Sequence, residues 1–196
     1  TDLEVSSRFI REEDDEIRLH SNFLLDRAGE SRSVPVVFVL RGGVLFSLRN
    51  ADLPAFRLQR RRAITQPIYT GDSLGLLVDL YGADVEYSAD ALEGIYAALG
   101  QVGHKVLSEN LSDEDAASML ATIADEEDLN GRIRSNILDT QRAVSFLMRS
   151  RVLGEAPLDD ARQVLRDIES LNNHTAFLFD KINFLMDATV GFININ

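Results

Sequence analysis

From Pro157 to Asn196, apolar or small residues return every three or four positions: Val164, Ile168, Leu171, Thr175, Leu178, Ile182, Leu185, Thr189 and Phe192. This alternation is a sustained heptad seam, and it predicts a long helix packed along its length against other helices. Pro157 falls where a first-turn proline is tolerated, and Asp159 and Asp160 bring negative charge to the positive end of the helix. No Pro or Gly interrupts the pattern before Gly191. Toward the end, Phe184, Met186, Val190, Ile193 and Ile195 lie off the seam, so the apolar face broadens. The expected continuation of such a pattern past Asn196 is a membrane span.

The same period governs an upstream stretch. Leu74, Val78, Tyr81, Val85, Ser88, Leu92, Ile95, Leu99, Val102 and Val106 predict a helix of about thirty-five residues. Its Gly75, Gly82, Gly94, Gly100 and Gly103 each cost about 1 kcal/mol relative to Ala, and close helix–helix approach is the expected compensation. Ser112-Asp113-Glu114-Asp115 resembles a capping box and opens a third helix, through Ala116, Leu120, Ile123, Ile133, Ile137, Val144 and Leu147. Gly154 and Pro157 separate it from the last helix.

The front of the chain has a different period. Residues 1 to 10 are expected to end a helix, and Glu12 to Glu16 to form a solvated charged turn. Ile17 to Leu25 alternates as a strand. Arg27 to Ser33 reads as a polar loop, Val34 to Leu40 as a second strand with Pro35 near its start, and Val44 to Leu48 as a third after the Arg41-Gly42-Gly43 turn. A short helix from Leu53 to Ala63 is the candidate cover. Pro67 and Gly71 mark a boundary. The predicted fold is thus α+β: an antiparallel β meander with a covering helix (1–66), then three long antiparallel stalk-type helices (67–196).

Composition narrows the function classes. The 196 residues carry a net charge of −12, which argues against nucleic acid as a partner. Arg57, Arg60, Arg61 and Arg62 form one basic cluster, read as a solvated or acid-paired helix face. No apolar run reaches the length of about eighteen residues that a span needs. The chain opens Thr-Asp-Leu without a charged-then-apolar leader, which gives secretion no support. It has no cysteine, which excludes disulfides and thiolate metal sites. His20, His104 and His174 fall in different elements without zinc-ligand spacing. No phosphate-binding glycine loop or nucleophile elbow is present. The expectation is a protein that is not an enzyme.

On the last helix, Asp180, Asp187 and Asn194 recur every seven residues and form one column. Asp160, Asp167, His174 and Lys181 form another, beside the seam. On spacing alone, both could be solvated flanks of a coiled coil.

Several motifs carry a resemblance. The tail Lys181-Ile182-Asn183-Phe184-Leu185-Met186 and Gly191-Phe192-Ile193-Asn194-Ile195 is similar to the start of the pore-lining helix in the CorA family of magnesium and cobalt channels. Leu165 to Leu171, Asp139 to Ala143, Leu45 to Arg49 and Leu53 to Leu58 also resemble that family, in the same order. The family's Gly-Met-Asn motif and both membrane helices are missing. The resemblance implies a cytoplasmic portion of such a channel, part of an α/β/α domain plus stalk, cut just before the first membrane helix. It implies a homopentamer at the cytoplasmic face of the bacterial inner membrane, attached there only through the missing helices. It also implies Mg²⁺ as regulatory and transported ion, with Co²⁺ a second cargo. By motif, Asp2 and Asp167 match the inter-subunit regulatory site, with Glu4 a helper that has no motif match. Asp187 matches a polar ring at the pore mouth, with Asn194 further toward the membrane and Asp180 following by spacing. The rivals are the zinc-transporting branch of the family and a coiled-coil scaffold with no ion role.

Overall fold

The computed structural model describes residues 9–11, 15–27, 29–66, 72–107 and 111–193. Its strands are β1 (Phe9–Arg11), β2 (Ile17–Arg27), β3 (Glu30–Arg41) and β4 (Val44–Leu48), and its helices are α1 (Pro54–Thr65), α2 (Ser73–Val106), α3 (Asp113–Arg149) and α4 (Glu155–Ile193). The sheet is antiparallel throughout, in the order β1-β2-β3-β4. This is the meander with covering helix and three long helices that the periodicity predicts.

Several details differ from the sequence reading. Phe9 lies in a strand paired with Leu19, not at the end of a helix; residues 1–8 lie outside the described residues. The expected polar loop from Arg27 to Ser33 is mostly strand, because Arg27 pairs directly with Glu30 and Gly29 turns the chain at φ 83. Polar residues can join a ladder when the partner strand fixes the register, and alternation alone does not reveal them. In the charged turn, Asp15 is exposed as expected, but Glu16 is buried beneath Arg18 and Arg41. Glu12 to Asp14, Pro67 and Gly71 lie outside the described residues.

One face of the sheet buries Leu19, Phe23, Val36 and Phe38. Rings from three elements close over it: Phe38 lies 5.7 Å from Phe23, 6.2 Å from Phe56 on α1 and 5.6 Å from Tyr81 on α2. The hydrophobic core continues without a break from these strands into α2, α3 and α4. Pro at the first helical turn opens α1, Asp72 caps α2 through the Gly75 amide, and the Ser112–Asp115 capping box opens α3. Close approach accounts for Gly82, where an added Cβ would stand 3.4 Å from Val164. It does not account for Gly94 or Gly100, which face open space, nor for Gly75, which faces its own cap.

The opposite face of the sheet is uneven. Leu24 is fully buried there, and its cross-strand partner Ser33 donates to Asn136 of α3 at 2.9 Å. Further along, Phe46 and Leu48 are 53% and 61% exposed beside Val39 and Val37. An exposed apolar face on an edge strand favours self-association. The chain is expected to associate at high concentration, and Phe46→Ser with Leu48→Ser should shift its sedimentation toward monomer. A wild-type chain that sediments as a monomer at all concentrations would contradict this.

Candidate functional site

The last helix has two opposed faces. Its inner face is the predicted seam: Val164, Ile168, Thr175, Leu178, Ile182, Leu185 and Thr189 are buried, and Leu171 and Phe192 are half-buried. α3 reaches it with a polar contact, as buried Asn130 donates its Nδ2 to the Thr175 carbonyl at 3.0 Å. A buried asparagine in an apolar seam favours one register of the helices over its neighbours.

The outer face carries Asp180 and Asp187, both exposed. Steps of three and four from them reach Phe177 and Phe184, which are 56% and 69% exposed. With about 100° per residue, these four side chains share one stripe roughly opposite the buried seam. Phe177 has a neighbour in Tyr96 of α2, stacked at 6.1 Å, and Tyr96 also meets His174 Nδ1 through its hydroxyl at 3.0 Å. The stripe is therefore a second heptad repeat, in which aromatic and acidic positions alternate. Asn194 would extend it but lies outside the described residues.

Asp167 is exposed on α4 and accepts from Gln163 at 2.8 Å. It borders a groove between α2 and α4 with Gly82, Val85, Glu86, Ala89, Ser170 and Leu171. Glu86 is held by Arg62 of α1. Asp2 and Glu4 lie outside the described residues. Among the described residues, no three His, Asp or Glu side chains are grouped so as to hold a metal ion.

Of the basic cluster, Arg57 pairs with Asp52 at 3.3 Å and Arg62 with Glu86, which is the acid-paired face expected. Sequence reading missed an acidic concentration where the β2–β3 turn meets α3: Asp26, Glu30, Asp125, Glu126 and Asp128 line one shallow pocket. Burial, then the charges of Asp26 and Asp125, raise the Glu126 carboxyl above its ordinary value, and burial raises Asp26. The run from Asp125 to Asp128 was visible in the sequence, but its meeting with Asp26 depends on how α3 crosses the sheet.

The family described as CorA-like Mg2+ transporter protein matches residues 4–196. The chain belongs to this family. It is 45% identical to the magnesium transport protein CorA of Escherichia coli K12 over 199 residues, covering 99% of this chain and 61% of that protein. It therefore spans about three fifths of the length of that CorA relative. Among solved structures, its fold matches the ZntB cytoplasmic domain from Vibrio parahaemolyticus at a TM-score of 0.76 with 16% identity, covering 96% of this chain and 73% of that one. It also matches the soluble domain of CorA from Methanocaldococcus jannaschii at 0.78 with 12% identity, covering 94% and 73%. The α+β fold of this CorA-family chain is thus that of the family's soluble domains. Among the described residues, no helix is long and apolar enough to cross a membrane.

Proposed function

We propose that this chain is the Mg²⁺-sensing, gating portion of a CorA-type divalent cation channel, at the cytoplasmic face of the bacterial inner membrane. It works as a sheet-bearing part (1–66) and a stalk part (67–196) built on one shared core. Mg²⁺ is the transported and regulatory ion, with Co²⁺ a further cargo. The assembly is a homopentamer in which five copies of α4 surround the axis. Sequence similarity to a magnesium transport protein favours this ion over zinc.

The observation that carries this reading is the alternating Phe177, Asp180, Phe184, Asp187 stripe opposite the buried seam of α4. Phe177 stacks on Tyr96 of its own chain, but a solvated flank gives no reason for Phe184, 69% exposed, to stand between the two aspartates. A parallel bundle would bury such rings against their counterparts and stack the intervening aspartates into acidic rings, with Asn194 continuing the column. Asp167, on the exposed side of α4, is then available to a carboxylate of the neighbouring subunit, in this reading Asp2 with Glu4 as helper. Mg²⁺ retains several waters and needs only one or two carboxylates, so a weak site between subunits suits it. Ions bridging subunits stabilise the closed assembly, and their loss lets acidic neighbours separate.

In the intact pentamer, Asp167→Ala or Asp2→Ala is expected to weaken Mg²⁺-dependent protection from proteolysis, by a coupling of about 1–3 kcal/mol across the assembly. Unchanged protection in the double variant would remove both residues from the sensor. If Asp2→Ala alone is silent, Glu4 becomes the next carboxylate to test. The scaffold reading predicts that Mg²⁺ alters neither protection nor assembly.

A further inference from the structure

Among the described residues, β1 accompanies β2 only as far as Leu19. Beyond that point, side chains of the long helices bond amides along that edge of β2. The Asn22 amide donates to Asp139 of α3 at 3.1 Å, the Leu24 amide to Asp84 of α2 at 3.0 Å, and the Asp26 amide to the Tyr87 hydroxyl of α2 at 3.2 Å. Unpaired strand amides buried against protein must find acceptors, and these three residues supply them.

Asp84 is unlike an ordinary edge cap. It is 1% exposed, and its second carboxyl oxygen, Oδ2, has no partner. Other buried polar atoms on the two helices also lack partners, among them Ser88 Oγ, one turn along α2, and Asn136 Nδ2 and Thr140 Oγ1, one turn apart on α3. Asn136 is anchored to Ser33, the cross-strand partner of Leu24, so both helices converge on the same strand pair.

We propose that Asp84 is a proton-operated latch between the sheet and the long helices: as the neutral acid it holds the edge of β2 at Leu24 on α2, and loss of its proton releases that edge. Oδ2, which holds no hydrogen bond, is the oxygen available to carry the proton. A lone carboxylate charge is too costly to bury without a cation. The titratable groups on the packed elements do not supply one. α3 presents Asp139, α2 presents Tyr81 and Tyr87, and β2 presents Asp26, with His20 four residues along the strand; Arg27 of β2 and Arg57 of α1 act on Tyr87 and are turned to Asp52, and Arg32 of β3 is turned to Glu30. Burial accordingly pushes the Asp84 carboxyl up to about 8, against the opposing pull of the Leu24 amide.

The sign follows from linkage. Released into water, Asp84 would return to the ordinary value of 3.8, whereas burial in the closed state pushes it up to about 8. Closure is favoured fully below the lower value and weakens as pH rises toward the upper one, by about tenfold per pH unit, then levels off. The latch requires no transport activity, and it is testable on this chain alone.

Two measurements decide it. Carboxyl carbon NMR should give Asp84 a midpoint several units above an ordinary aspartate. Hydrogen exchange at the Leu24 amide, corrected for intrinsic rate, should lose protection about tenfold per pH unit between pH 5 and 8 and then flatten. In Asp84→Asn, which keeps a carbonyl acceptor but cannot ionise, that slope should vanish. An Asp84 midpoint near 4 overturns the latch. So does Leu24 protection that is flat with pH in the wild type, or equally sloped in the variant. If Asp84→Asn does not fold, the wild-type midpoint and slope alone decide.

Discussion

Asp187→Lys in the full-length protein, if that is the pentameric channel proposed above, is expected to reduce cation entry by about tenfold or more while leaving the fold of each chain unchanged. The fold should be indifferent because Asp187 is exposed on the outer face of α4. Substitutions at such positions typically move stability by less than about 0.5 kcal/mol. The effect on entry arises from multiplicity. In a parallel five-fold bundle, one residue per chain becomes five at one level, so the variant replaces five carboxylates with five ammonium groups. Charges several ångströms apart in partly desolvated space interact strongly enough to change a rate constant by an order of magnitude. Asp187→Asn should reduce entry only mildly, because an amide still presents oxygen to a hydrated cation. A cysteine substituted for Asp187 should cross-link between subunits under oxidation. If it never does, and the lysine variant conducts normally, the stripe faces outward and the acidic positions are solvated flanks.

How much of this was legible in the sequence depended on where the information is stored. The seam of α4 was readable because heptad spacing is local: Ile168, Leu178, Ile182 and Leu185 are all buried where the period put them. The Ser112–Asp115 capping box was readable for the same reason, as its four residues contain the whole interaction. The strand from Glu30 to Ser33 was not, because its register comes from pairing with Asp26 and Leu24 rather than from its own alternation. Asp84 was hidden more thoroughly. It interrupts no seam position and joins no motif, and the role proposed for it rests on Leu24, sixty residues away, whose amide donates to it. The acidic column was half visible: spacing aligned Asp180 with Asp187. On the proposed reading, the exposure of Phe184 beside them is what would separate a second interface from a solvated flank.

That separation gives the last expectation, which concerns the two faces of α4 as a pair. Ile182→Ala should cost each chain about 2–5 kcal/mol, the range for removing a fully buried aliphatic side chain from a core that relaxes only in part. Ile182 is 0% exposed and belongs to the continuous core shared with α2 and α3. Phe184→Ala, two residues along, should change the stability of the single chain by less than about 0.5 kcal/mol, since its ring is already largely in water. Its effect should appear on assembly instead. If the stripe is buried among five helices, removing one ring per chain deletes five buried aromatics at one level, and the intact protein should dissociate more readily in detergent. Urea unfolding of the isolated chain reads the first effect, and sedimentation of the intact protein reads the second. Equal losses of chain stability from both substitutions would mean that Phe184 packs within its own chain. Phe184→Ala that leaves assembly untouched would mean that the outer stripe of α4 meets no neighbour.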